Sequence, residues 1–171
     1  MITHDYVVLG NPAVYVSTYS KYNNGSLSGR WIDLSTFDNY YDFVEYCYAI
    51  HKEEDDPELM FQSYENYPSQ WYSECMLSED TFDKIIQYSN ANNQEVINAY
   101  MSCFGIDDFD DLEDKYCGAF DSTEDFARSL INECYCDLSD FCLNYFDYSS
   151  FAYDIFIGDY SYVDGYVFRN Y

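Results

Sequence analysis

Carboxylates crowd the stretch Asp107-Asp-Phe-Asp-Asp-Leu-Glu-Asp114, where they could bind calcium, move protons or stand in solvent as fixed negative charge. An EF-hand loop beginning at Asp107 needs glycine at its sixth position and a bidentate glutamate at its twelfth. Leu112 and Gly118 stand there instead, so a solvated acidic face is the default. Cys134-Tyr-Cys136 with Cys142 offers three thiolates, but structural zinc sites use two ligand pairs, and no fourth Cys or His is near. Core packing is the reading for these cysteines. His4 and His51 are the only imidazoles; neither lies in a zinc-protease helix motif, and no flanking motif supports a Cys–His nucleophile. His51 falls at the end of an expected helix, where a cation suits the dipole. Paired carboxylates suited to glycoside hydrolysis occur in any acidic chain, and no substrate-binding signature accompanies them here. Gly25 and Gly29 sit in an expected hairpin loop, not in a phosphate-binding turn. The expectation is a non-enzyme with no cofactor and no metal.

The elements that must hold these residues can be read from their pattern. Ala13–Tyr19 and Arg30–Leu34 are rich in β-branched and aromatic residues and read as two strands of a long-looped hairpin around Asn23-Asn-Gly25. Ser35, Thr36 and Asp38 offer caps for a helix from about 39 to 52 with the apolar stripe Tyr40, Phe43, Val44, Cys47 and Ile50. Its opposite face carries Asp38, Asp42 and Glu45. Pro57 bars continuation of the helix, and Leu59–Ser63 reads as a third strand. From about 65 to 105 the pattern turns helical. Phe82, Ile85 and Ile86 form one stripe, with Glu79, Asp80 and Asp83 facing away. Val96, Ile97, Tyr100, Met101 and Phe104 form another, behind Asn92 and Glu95 in capping-box spacing and ahead of Gly105 as a stop. A strand over 115–120 follows the acidic run. Ser122 then caps a helix whose core face is Phe126, Ala127, Leu130, Ile131 and Cys134. Short helices over about 138–157 lead to a hairpin turning at Asp164-Gly165. The expected fold is α+β, as an elongated chain of three small subdomains: a sheet with a helix over 1–63, a helical middle over 64–105, and an α+β part over 106–171.

The chain has 171 residues, with 32 Asp/Glu against 7 Lys/Arg, for a net charge of −25. A nucleic-acid binder needs a basic footprint, and a binder of anionic membranes needs the same, so both classes are excluded. Acidic disorder is excluded too, because 22 Tyr and 13 Phe are far too many for a chain that buries nothing. No segment reaches the length of a membrane span, and the first ten residues lack the basic flank and apolar run of a signal peptide. With seven scattered cysteines, the expected compartment is a reducing cytoplasm.

The acid is woven through the chain. Residues 1–60 carry ten acids and three bases, 61–103 six and one, and 104–171 sixteen and three. Like charges a helical turn apart cost stability, so selection for stability alone would intersperse lysine. Solubility or adaptation to high salt is one explanation; a carboxylate surface made for a basic partner is another. Tyrosine, which buries a flat body and keeps one end wet, suits a slim fold with few deeply buried positions. B-DNA presents one charge per 1.7 Å, so 25 charges at that density cover about 43 Å, a plausible length for a small elongated protein.

Four segments resemble the ArdA-type antirestriction proteins carried by mobile elements and phages. They are Pro12–Leu34, Asp56–Gln62, Phe120–Arg128 and Phe156–Tyr171, with the first and last the most specific. Residues 64–115 match less clearly, and the richness in Cys and Tyr departs from the usual pattern. The resemblance implies an elongated homodimer of three-subdomain chains whose acidic surface imitates bent B-form DNA. It implies occupation of the DNA-binding groove of a type I restriction-modification enzyme, without catalysis, inside a bacterial cytoplasm. The family's dimer contact lies towards the C-terminal part. The acids expected to meet the partner are Asp38, Asp42 and Glu45; Glu79, Asp80 and Asp83; Asp107, Asp108, Asp110, Asp111, Glu113 and Asp114; and Asp121, Glu124 and Asp125. The alternatives are an acidic partner of nucleoid-type basic proteins and a calcium-binding module.

Overall fold

β1 (Ala13–Thr18) is the central strand of an antiparallel three-stranded sheet, between β2 (Arg30–Asp33) and β3 (Leu59–Glu65). This is a computed structural model, and it describes residues 9–26, 28–134 and 138–171; His4 and Cys136 lie outside the described residues. The fold is α+β, as the sequence pattern predicts, and divides into two compact units, 1–94 and 95–171.

In the first unit, β1 pairs with β2 from Ala13↔Asp33 to Val16↔Arg30, and with β3 through a register shift between Tyr15 and Val16. As the central strand it is buried at every position but Tyr15. Two buried hydroxyls on it are bonded: Ser17 donates to the Ser28 carbonyl at 2.7 Å and Thr18 to Glu54 at 2.8 Å. The β1–β2 connection contains a short helix that the sequence reading treats as loop, α1 (Tyr19–Asn23). Thr18 Oγ1 caps it by accepting from the Lys21 N–H. Gly25, at φ +72°, lets the chain leave that helix.

The helix expected over 39–52 is α2 (Tyr40–Ala49). Its cap is Asn39, not Ser35, Thr36 or Asp38, because Asn39 Oδ1 takes the Asp42 N–H at 3.0 Å. Phe43 and Cys47 from its stripe are fully buried. Phe43 lies stacked between Phe61 of β3, at 6.3 Å, and Phe82 of α3 (Glu79–Asn90), at 5.6 Å. Sheet and helices thus share one aromatic core. Pro57 precedes β3, and the expected strand at 59–63 is present and two residues longer.

In the second unit, α4 (Gln94–Phe104) buries Val96, Ile97, Tyr100 and Met101, and Gly105 at φ +65° ends it. After α5 (Leu112–Lys115) comes β4 (Tyr116–Ala119). α6 (Thr123–Cys134), α7 (Asp140–Asn144) and α8 (Tyr148–Gly158) precede β5 (Tyr160–Val163) and β6 (Tyr166–Arg169). The sheet order is β4-β6-β5, antiparallel throughout. The hairpin turns at Asp164 (φ +52°) and Gly165 (φ +88°), the two positive values that a type I′ turn requires. Phe126, Tyr160 and Val167 form the centre of its core, with Phe120, Leu130, Ile155 and Phe156 packed around them.

Two assignments to the core fail. Cys134, at the last turn of α6, is exposed, and so is Cys142. The buried stripe of α6 ends at Ile131, one turn before Cys134. Cys47 is the fully buried thiol among the described residues, and burial raises its pKa. No described helix is long and apolar enough to cross a membrane.

Candidate functional site

A charged surface begins with what orders the backbone beneath it. Asp33 is fully buried at the end of β2. Its carboxylate accepts from the Ser35 N–H at 3.0 Å, the Ser35 hydroxyl at 2.6 Å and the Asn11 amide at 2.9 Å. It therefore fixes the turn that delivers Asp38 and the start of α2. D33A should cost about 1–2 kcal/mol, because it removes the buried acceptor of three part-buried hydrogen bonds, and urea unfolding followed by tryptophan fluorescence measures this. Asp38, Asp42 and Glu45 are exposed. Asp42 also takes the Asn39 side-chain amide at 2.9 Å, closing a reciprocal cap.

On α3, Glu79, Asp80 and Asp83 are exposed. Ser78 caps the helix through the Thr81 N–H at 3.1 Å, and acids in a first turn suit the positive end of the dipole. Glu79 accepts the Tyr41 hydroxyl at 2.9 Å, a bond that pushes that phenol's pKa up. Asp80 pairs with Lys84 one turn on, at 3.1 Å.

The run at 107–114 rests on two buried anchors, Phe109 and Leu112. Asp107, Asp110, Asp111, Glu113 and Asp114 are exposed and Asp108 is half-buried. Burial, followed by the fields of Asp111, Asp108 and Asp110, raises the pKa of Tyr100 in α4. Leu112 opens a helix and Gly118 lies in a strand, so the segment has no calcium-loop geometry. Among the described residues, the one group with three metal-ligating atoms within 4.8 Å of one another is His51, Glu53 and Glu54.

At the start of α6, Ser122 accepts the Asp125 N–H at 3.1 Å, the cap expected from the sequence, and also donates its hydroxyl to Asp125 at 2.6 Å. Asp121, Glu124 and Asp125 are exposed, and Glu124 pairs with Arg128 at 3.2 Å. All described acids are exposed except Asp33, Glu54 and Asp108. The exposed set includes several the sequence reading did not single out, among them Asp55, Asp56, Glu133, Asp154 and Asp159.

Of the seven cations, Lys21, Lys84 and Lys115 are half-buried, and Arg30, Lys52, Arg128 and Arg169 are exposed. Lys21 Nζ bridges Glu53 at 2.5 Å, Glu54 at 3.4 Å and His51 Nδ1 at 2.7 Å. This corrects the expectation of a protonated His51 at a helix end. His51 is buried just beyond α2, and burial together with the Lys21 ammonium lowers its pKa, leaving it neutral at pH 7. Lys21 supplies the cation there. Arg128 stacks 3.9 Å from the centre of the Tyr148 ring, and Lys115 sits 4.7 Å over Phe104. Seven cations against 32 acids leave most of the exposed carboxylates without a basic partner.

Residues 14–168 match the family described as Antirestriction protein (ArdA), and the chain belongs to that family. No curated protein matches it significantly.

Proposed function

We propose that this antirestriction protein is a DNA mimic. Its carboxylates occupy the DNA-binding groove of a type I restriction-modification enzyme, exclude duplex DNA, and so block restriction together with modification. The observation that supports this most is the combination of −25 net charge with acids held outward on capped helices and packed turns, while Lys21, Lys84 and Arg128 already pair with acids of the same chain. A carboxylate on an ordered element loses little further entropy on binding, and a positive channel built for phosphates attracts it over the same range. The protein acts without catalysis or cofactor, as a homodimer in the bacterial cytoplasm. The acids that meet the partner are those of α2, α3, 107–114 and the start of α6.

Expression of the protein in a cell carrying a type I system should raise the plating efficiency of unmodified phage towards that on a restriction-deficient host. A tagged copy should retain the methyltransferase and specificity subunits. Retention of histone-like proteins alone, with restriction intact, would favour the nucleoid-type partner instead.

A further inference from the structure

Two of the acidic segments line open, shallow clefts that also present aromatic rings, one in each unit. The first, of about 410 Å³, is lined by Phe37, Asp38, Asp42, Glu45, Tyr46 and Ala49. The spacing 42, 45, 46 and 49 puts four of these on one face of α2, and Phe37 and Tyr46 meet with ring centres 5.6 Å apart. The second, of about 420 Å³, is lined by Ala119, Phe120, Asp121, Asp125, Asp164 and Tyr166. Here Phe120 is set against Phe126 at 5.1 Å, and its N–H donates to the Gly165 carbonyl at 2.8 Å, which closes the cleft onto the hairpin turn. Gly118, at φ +125°, keeps clear a position where a Cβ would come within 3.1 Å of the Phe120 ring.

The two clefts share a design. Each has an acid just before a capped helix (Asp38 before Asn39, Asp121 before Ser122) and an acid three residues after the cap (Asp42, Asp125). Each adds a third acid (Glu45, Asp164) and two aromatic rings. None of the six acids has a Lys or Arg nitrogen within 4 Å among the described residues.

We infer that each cleft receives an arginine side chain of the partner protein, its guanidinium stacked on an aromatic ring and forked onto the carboxylates. This rests on the DNA-mimic reading and gives it specific anchor points. Charge complementarity requires a cation, and the aromatic rings select its type. A guanidinium is planar, weakly hydrated and able to stack on a ring while donating to carboxylates in its plane. A lysine ammonium is compact and strongly hydrated, and leaves the ring face unused.

Titration of the protein with ethylguanidinium chloride at constant ionic strength, read by amide chemical shifts, tests this without the partner. Saturable shifts should be confined to Asp38, Tyr46 and Ala49 and to Asp121 and Tyr166. Ethylammonium should bind about threefold more weakly, the ratio an exposed cation–π contact gives. A49L, which fills the first cleft at an exposed position without changing charge, should abolish the first set and spare the second; A119L should do the reverse. Y46L should keep a response at the first cleft but lose the preference for guanidinium. Equal shifts across all acidic segments, equal affinity for both cations, or binding unaffected by A49L would each overturn the inference. Against a purified type I methyltransferase, the A49L/A119L double variant should compete with DNA about tenfold less well than wild type, as loss of two anchors at an interface predicts. Competition by wild type with an unchanged double variant would defeat the clefts alone, whereas no competition by wild type would defeat the mimic itself.

Discussion

Converting the six acids of 107–114 to their amides (D107N, D108N, D110N, D111N, E113Q and D114N together) should weaken inhibition of the target enzyme about sixtyfold. That figure is six exposed contacts at about a factor of two each. D110N alone should be nearly silent, because one solvated ion pair is worth little. Amides match carboxylates in shape, and the buried anchors Phe109 and Leu112 are untouched, so the segment keeps its fold. The melting temperature should hold or rise, because repulsion among neighbouring carboxylates is relieved. The salt dependence of inhibition should flatten at the same time, because fewer charges interact across the interface. A loss of that size from a single substitution would point instead to one specific contact. Full potency in the six-fold variant would remove this cluster from the binding surface.

Phe43→Ala should cost about 3–5 kcal/mol, the range for deleting a buried phenylalanine. The ring is fully buried and touches Phe37, Tyr40, Phe61 and Phe82, so it joins α2 to both the sheet and α3. No neighbour on three different elements can close such a cavity without moving its own backbone. Both tryptophans, Trp31 and Trp71, lie in the same unit, so their fluorescence in urea reports its unfolding directly. The midpoint should fall sharply with little change in slope. A loss below about 1 kcal/mol would mean that the aromatic stack is not the centre of this core.

Much of the local chemistry was readable in the sequence, although the cap of α2 fell on Asn39 beside the three candidates and α1 lay in an expected loop. The Asp164-Gly165 turn, the Ser122 cap, the Gly105 stop and the β-branched richness of β1 all work within a few positions of themselves. Features that depend on distant contacts were not readable. Asp33 looks like one more solvated acid in a chain of net charge −25, and its burial depends on Asn11 and on the turn it closes. Its spacing to Ser35, a side-chain oxygen two residues before a backbone N–H, was the available signal. His51 obeys the lysine thirty positions earlier and not the helix end beside it. Cys134 continues a helical stripe that the fold stops covering one turn sooner. The acids of the candidate surface could be named individually, but the two clefts could not. The first is local, built within residues 36–49, but its concavity depends on how Phe37 and Asp38 fold back onto α2; the second needs separate elements, as Asp164 and Tyr166 of the terminal hairpin meet Asp121 and Asp125.

A DNA mimic of this kind sets fixed carboxylates in competition with duplex phosphates for one groove. Equilibrium competition between this protein and a cognate DNA duplex for a purified type I methyltransferase, repeated from about 50 to 500 mM salt, tests it most directly. The account predicts mutually exclusive binding, with the protein's own affinity falling steeply as salt rises. A ternary complex of enzyme, DNA and protein, or an affinity indifferent to salt, would contradict it.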